Sequence, residues 1–125
     1  MTFNALSELK NTIVQSIAEV LGEKEITDFK IVLTEFRWEN MNDGCYGYQG
    51  FDILIADKIT DEKIYQVVFN NANGEHITMG KVPFDDETII LNQFDYSKTA
   101  FKTAFSNIIN KFEESNETNH KRKRK

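Results

Sequence analysis

The spacing of apolar residues changes twice along this 125-residue chain, and that change constrains the fold more than any other feature of the sequence. Within residues 3–21 apolar residues recur every three or four positions, which indicates an amphipathic helix. Between residues 29 and 91 apolar and polar residues alternate in short segments, which is typical of β-strands. Helical spacing then returns near residue 97. The order helix, strands, helix predicts an α+β fold.

Two helices are predicted, one at each end of this order. The first spans residues 3–21 and ends at Gly22, because glycine readily takes the left-handed conformation that follows a helix. The second begins at Asp95 or Ser97, either of which can cap it, and ends at Phe112. Each helix has a single apolar stripe, so we expect both helices to lie on one face of the sheet.

Four or five strands are predicted between the helices. They are Phe29–Trp38, Phe51–Asp57, Ile64–Phe69, His76–Val82 and, as a short fifth strand, Thr88–Leu91. Residues 39–50 hold three of the six glycines and are predicted to form a loop. The pair Asn73-Gly74 is a strong hairpin signal, since both residues tolerate positive φ. Strands joined by such turns predict an antiparallel meander.

The length of the chain fits one domain with one core. We predict a single α+β domain over residues 1–114 and a disordered basic tail over residues 115–125. Neither a signal peptide nor a membrane helix is expected, because no window approaches the roughly 18 apolar residues that a membrane helix needs. A single cysteine, Cys45, fits a reducing compartment, so we expect a cytoplasmic protein that does not bind a membrane.

Charge is distributed unevenly along the chain. The whole chain carries −5, but its last five residues carry +5, so residues 1–120 carry −10. The strongly acidic body favours a protein partner with a basic surface. The basic tail can hold nucleic acid non-specifically or serve only to improve solubility. The residues of this tail are Lys121, Arg122, Lys123, Arg124 and Lys125.

No group of residues predicts catalysis. Cys45 lies in a glycine-rich loop, but a catalytic cysteine needs a base, and no spacing pairs it with His76. Asp52, Asp61 and Lys63 faintly match the pattern of magnesium-dependent nucleases, yet Asp61 and Lys63 fall at a predicted turn and read as ordinary hairpin residues. One cysteine and two histidines exclude a zinc site built from several such ligands. We therefore predict no catalytic residue, no metal and no cofactor.

Two groups of residues are candidates for binding a protein partner. Trp38, Tyr46 and Tyr48 lie in or beside the glycine-rich loop together with Asp43, and large aromatic side chains are enriched at interfaces. The alternative is that these rings pack over the edge of the sheet. The second group is the run of three acids after Pro83, for which a solvated loop is the alternative. This run comprises Asp85, Asp86 and Glu87.

These features together predict a non-enzymatic, small acidic binding protein. We expect an inhibitor or immunity-type protein that masks a basic surface of a partner such as a nuclease or another effector. Two alternatives stay open: a nucleic-acid-associated protein that uses the C-terminal basic tail, and a small-molecule binder or enzyme centred on the Cys45 loop. A homodimer that covers a free sheet edge is also compatible with the sequence.

Overall fold

The computed structural model describes the backbone of residues 3–40, 47–71 and 75–119, and the side chains of residues 4–36, 49–71 and 75–112. A one-turn 3₁₀ helix at Gln93–Asp95 separates the last strand from the second helix. The α+β order of helix, antiparallel sheet and helix is confirmed. The elements are α1 (Phe3–Glu23), β1 (Phe29–Leu33), β2 (Arg37–Asn40), β3 (Gly47–Asp57), β4 (Lys63–Asn70), β5 (His76–Lys81), β6 (Ile89–Asn92) and α2 (Lys98–Asn119).

The sheet is an antiparallel meander. β3 pairs with β4, β4 with β5, and β5 with β6. Both β1 and β2 pair with β3, along adjacent parts of its length, so they act as one edge strand that is interrupted at residues 34–36. The sheet therefore has five strand positions, with the interrupted strand at one edge and β6 at the other.

Both helices cover the same face of the sheet, as the two apolar stripes predict. Two cross-strand rows on that face are fully buried: Phe51, Phe69 and Ile77 in one row, and Ile53, Val67 and Met79 in the next. One core cluster joins these rows to both helices. The helix residues buried deepest in that cluster are Leu6, Ile13 and Ile17 of α1 with Phe101, Phe105 and Ile109 of α2.

The opposite face of the sheet is covered by neither α1 nor α2. Its central positions are half-buried, including Leu54 and Val68. The loop after β5 folds over part of this face, at Gly80. A Cβ atom added there would lie 2.8 Å from the Thr88 hydroxyl and 3.0 Å from the Phe84 ring. The absence of a side chain at Gly80 thus lets Phe84 pack directly on the strand.

The structure differs from the predicted element boundaries in three main places. The first is the loop predicted over residues 39–50, because β2 extends to Asn40 and β3 already begins at Gly47. The predicted strand Phe29–Trp38 is broken after Leu33, where Thr34 Oγ1 donates to the Asp52 carbonyl oxygen (2.9 Å) and accepts from the Asp52 N–H (3.0 Å). At the other end of the chain, α2 continues to Asn119 rather than ending at Phe112. Residues 113–119 contain neither glycine nor proline, so no helix breaker stops the helix there.

The start of α2 agrees with one of its two predicted caps. Ser97 Oγ accepts a hydrogen bond from the Ala100 N–H at 3.0 Å, which is the usual role of a serine before a helix. Asp95 instead belongs to the 3₁₀ helix. Among the residues that the structure describes, no helix has a stretch long and apolar enough to cross a membrane.

Candidate functional site

Residues 82–97 line the β6 side of the sheet and are named the acidic edge. This segment contains Asp85, Asp86, Glu87 and Asp95, and no lysine, arginine or histidine. It also holds four of the six large hydrophobic side chains that are exposed within the described ranges. These four are Val82 (37% exposed), Phe84 (37%), Ile90 (65%) and Phe94 (88%). Negative charge and exposed apolar surface therefore occur together on one edge.

A compact turn presents the three consecutive acids. The Asp85 N–H donates to Thr88 Oγ1 and the Thr88 N–H donates to the Asp85 carbonyl oxygen, both at 3.1 Å. The Glu87 N–H donates to Asp85 Oδ1 at 2.9 Å. This bond, assisted by Lys81 at 3.3 Å, lowers the pKa of the Asp85 carboxyl below its ordinary value. The Asp85 carboxylate therefore stabilises the turn through these contacts.

The three acids of this turn are not equally available to a partner. Asp85 pairs with Lys81, and Glu87 pairs with Lys111 of α2. Asp86 is exposed and takes part in no ion pair with any residue that the structure describes. A basic partner would thus meet the charge of Asp86 first, because the charges of its two neighbours are already partly balanced.

The other end of β6 carries a second exposed acid. The one-turn 3₁₀ helix is capped by Asn92, whose Oδ1 accepts from the Phe94 N–H at 3.2 Å. Asp95 in that helix is exposed, and the adjacent Phe94 ring is almost fully exposed. β6 is therefore flanked by an exposed acid at each end, Asp86 before it and Asp95 after it.

The hydrogen-bond pattern of the sheet shows which backbone groups of β6 face outward. In an antiparallel ladder, directly opposed residues alternate between hydrogen-bonded and non-hydrogen-bonded pairs. The Val82 N–H donates to the Ile64 carbonyl oxygen (2.8 Å), so Val82 and every second residue before it in β5 form hydrogen bonds with β4. The residues between them, Ile77 and Met79, form their hydrogen bonds with β6. Their partners are Leu91 and Ile89. The N–H and C=O groups of Ile90, between these two, consequently face away from the sheet.

A groove runs beside this strand on the helix side. It has a volume of about 350 Å³ and lies between β6 and α2. Ile89 and Ile108 supply its apolar part and Asn107 and Asn110 supply amide groups. The Glu87–Lys111 ion pair also lines it. The groove and the outward backbone of Ile90 thus lie on the same edge of the fold.

The structure separates the two groups of predicted partner-binding residues. Trp38 is paired with Gln49 and Tyr48 with Glu39, at the end of the sheet where β3 begins. The Asp85–Glu87 turn follows β5 and lies at the opposite end, about 25 Å away by strand geometry. The side chains of Trp38 and Tyr48, and all of Asp43, Cys45, Tyr46 and the basic tail, lie outside the described residues.

The residues of the faint nuclease pattern are not brought together. Asp52 is opposite Val68 in the middle of β3, whereas Lys63 is opposite Ala56 near the end of the strand. Asp61 lies in the β3–β4 turn with φ of 65° and pairs with Lys30, which lowers the pKa of its carboxyl. Within residues 3–40, 47–71 and 75–119, no three histidine, cysteine or acidic residues are arranged to hold a metal ion.

The edge opposite β6 contains a buried cation. Lys10 of α1 is 7% exposed, and its Nζ donates to the Thr34 carbonyl oxygen at the break between β1 and β2. The ammonium also lies 4.6 Å from the centre of the Phe36 ring and 5.7 Å from that of Phe51. Burial lowers the pKa of Lys10, and the charge of Asp52 offsets part of that shift.

The site predicted from the sequence lacks five residues of the acidic edge: Val82, Phe84, Ile90, Phe94 and Asp95. An Ile-Ile-Leu run suggests core rather than surface, and Asp95 reads as a helix cap. The sequence feature that could have identified them is the absence of any basic residue from 82 to 97.

The chain matches no protein-family model, no curated protein and no solved structure.

Proposed function

We propose that this protein is a small, non-enzymatic acidic binding protein whose acidic edge masks a basic surface of a protein partner. The observation that carries this proposal is the coincidence, within residues 82–97, of four acids, no base and four exposed hydrophobic side chains. An inhibitor or immunity-type protein acting in the cytoplasm on a nuclease or another effector fits this description. The basic surface of such a partner would supply the opposite charge.

The composition of the acidic edge is that expected of a protein interface. Specific interfaces have an apolar centre that excludes water and a polar rim that sets register and partner choice. Here Ile90 supplies exposed apolar area in the middle of β6, while Asp86 and Asp95 lie beyond its two ends. Phe84 adds partly exposed apolar area at the Asp86 end, where it packs over Gly80. Complementary charge at the rim speeds association and disfavours acidic partners.

The proposed contact is centred on the acidic edge. A standard interface covers about 800 Å² on each partner, or a patch roughly 30 Å across. Trp38 and Tyr48 lie on β2 and β3, at least three strand positions from β6, so they fall outside a patch of this size centred on β6. They remain predicted contacts for a partner of larger size, and the proposal does not depend on them.

Affinity capture with matched charge variants tests the proposal. The wild-type protein, an Asp86→Lys/Asp95→Lys variant and a Glu8→Lys/Glu25→Lys control are each immobilised and exposed to host lysate at low and moderate salt. Both variants change the net charge equally, and all four replaced acids are exposed. We expect one protein to be retained by the wild type and the control, and at least tenfold less of it by the edge variant.

Equal retention of the partner by both charge variants would overturn the proposal, because binding would then not depend on the position of the replaced acids. A fourth protein that lacks Lys121–Lys125 separates the nucleic-acid alternative. If only nucleic acid is retained, and only when the tail is present, the tail and not the acidic edge is the functional element.

A further inference from the structure

We propose that the partner binds by strand addition: an extended segment of the partner pairs with the free side of β6, and this segment has an apolar centre and a basic residue toward each end. This inference rests on the proposed function and names the chemistry of the contact at the acidic edge. Three independent features of β6 support it: its backbone, the groove beside it and the charges at its ends.

The backbone of β6 offers one complete hydrogen-bonding position. The N–H and C=O groups of Ile90 both face away from β5, as the Val82–Ile64 bond requires. A residue placed opposite Ile90 on an added antiparallel strand would exchange two hydrogen bonds with it. Asn92 has the same outward orientation two residues later, since alternate residues of a strand repeat it. Strand addition draws its affinity mainly from such main-chain bonds.

The surroundings of β6 suit the side chains of an added strand. The residue opposite Ile90 would share the outer face with the exposed Ile90 side chain. Its two neighbours would point to the other face, where the 350 Å³ groove between β6 and α2 offers Ile89 and Ile108. Alternate residues of the partner segment would therefore meet apolar surface on both faces, which gives the contact sequence preference.

The charges at the ends of β6 favour a foreign basic segment over a second copy of this chain. Two copies paired through β6 about Ile90 would bring the acids at the start of one strand toward those at the end of the other. Asp86 and Asp95 would then face like charges, and neither of them is in an ion pair with another residue that the structure describes. A partner segment with lysine or arginine near each end removes this repulsion.

The test uses a synthetic peptide as the probe, with two lysines at each end and alternating valine and threonine between them. Full-length, isotope-labelled protein is titrated with it to about millimolar concentration while amide exchange is followed by NMR. Two control peptides are included: one N-methylated on alternate residues, which cannot make the edge hydrogen bonds, and one with glutamates in place of the lysines.

We expect the probe to slow exchange of the Ile90 amide at least tenfold at saturation, with no change at Ile31 on the opposite edge. Both control peptides should bind at least tenfold more weakly. Ile90→Pro removes the outward N–H without removing a bond to β5, because proline is tolerated where the N–H of an edge strand faces solvent. Ile90→Pro should weaken binding of the probe peptide at least tenfold, whereas Ile90→Thr, which keeps the N–H, should weaken binding less.

Three results would overturn this inference: no protection of the Ile90 amide, equal binding of the N-methylated peptide, or self-association of the free protein through β6. The N-methylated control keeps the inference testable even if Ile90→Pro fails to fold. This failure is distinct from failure of the proposed function. If lysate capture still requires Asp86 and Asp95 while the probe leaves Ile90 unprotected, the protein masks a basic surface without strand addition.

Discussion

The two edges of the sheet are built in opposite ways. On the β1–β2 edge the strand is broken at residues 34–36, and the break is held by the buried Lys10 ammonium and by Thr34. On the β6 edge the strand is short but unbroken, and Ile90 presents both backbone groups and a side chain that is 65% exposed. Breaks and buried charges are devices by which proteins prevent unwanted strand pairing.

This contrast indicates which edge is available to a partner. A strand laid along β1 and β2 would lose its ladder at the break, whereas one laid along β6 would meet the outward N–H and C=O groups of Ile90 on an unbroken strand. The acids of residues 82–97 would then decide which strands are accepted, since they repel acidic segments and attract basic ones. The proposed binding role therefore falls on the β6 edge, and a structural role falls on the broken edge.

The largest expected stability effect is at the broken edge. Phe36 is half-buried, packs edge-on against Phe51 with ring centres 6.0 Å apart, and lies against the Lys10 ammonium. Phe36→Ala should lower the free energy of unfolding by about 2–3 kcal/mol, measured by urea denaturation. Ile90→Ala on the other edge should cost about 0.5 kcal/mol or less. Equal costs would mean that the two edges do not differ in structural role.

A smaller effect is expected where the acidic edge is attached to the sheet. Gly80→Val would force the Phe84 ring and the Thr88 hydroxyl away from the strand, since even a Cβ atom would come within 3.0 Å of both. We expect a loss of about 1–2 kcal/mol, typical of overpacking, together with weaker partner capture. Thr78→Val, at another position on the same face, is the control. Unchanged stability in Gly80→Val would show that the loop is not seated on Gly80.

The pH dependence of stability should report the buried cation. Burial holds the pKa of Lys10 below its ordinary value of 10.5, so the folded protein releases this proton at lower pH than the unfolded chain does. The contribution of Lys10 to stability is therefore fullest above pH 10.5 and is lost as the pH falls through the folded pKa. The stability of the wild type relative to Lys10→Met should rise with pH over this window. A flat difference between the two denaturation curves would contradict the burial of the charge.

The smallest effect is expected from the ion pair that joins the acidic edge to α2. The Glu87 and Lys111 side chains are both more than half exposed, so solvent screens their attraction. Glu87→Gln should change the free energy of unfolding by about 0.5 kcal/mol or less. A large stability loss would mean that this pair holds the acidic edge in place.

Much of the fold follows from local sequence patterns. The periodic stripes predict both helices, and alternation predicts the strands from residue 51 to residue 91. The break after Leu33 does not follow, because Thr34 and Glu35 are not turn-forming residues. It depends on Lys10, which lies in α1, and on Asp52, which lies in β3, so only the assembled fold brings its causes together.

The candidate site also has a part that the sequence predicts and a part that only the fold reveals. The run Asp85–Glu87 is visible in the sequence because charge and position in the chain suffice to identify it. The predicted meander already places the last strand at an edge, but residue spacing does not reveal that the side chains of Ile90 and Phe94 are exposed there. Nor does the sequence reveal that lysines of β5 and α2 already pair with Asp85 and Glu87.

The most direct test of the central claim is hydrogen exchange, measured by mass spectrometry, on the protein alone and in complex with the partner retained in the capture experiment. The account predicts slowed exchange in peptides covering residues 82–97 and unchanged exchange in peptides covering residues 29–36. Slowed exchange in residues 29–36 together with unchanged exchange in residues 82–97 would contradict the account. The partner would then bind the edge at which the break and Lys10 disfavour strand pairing.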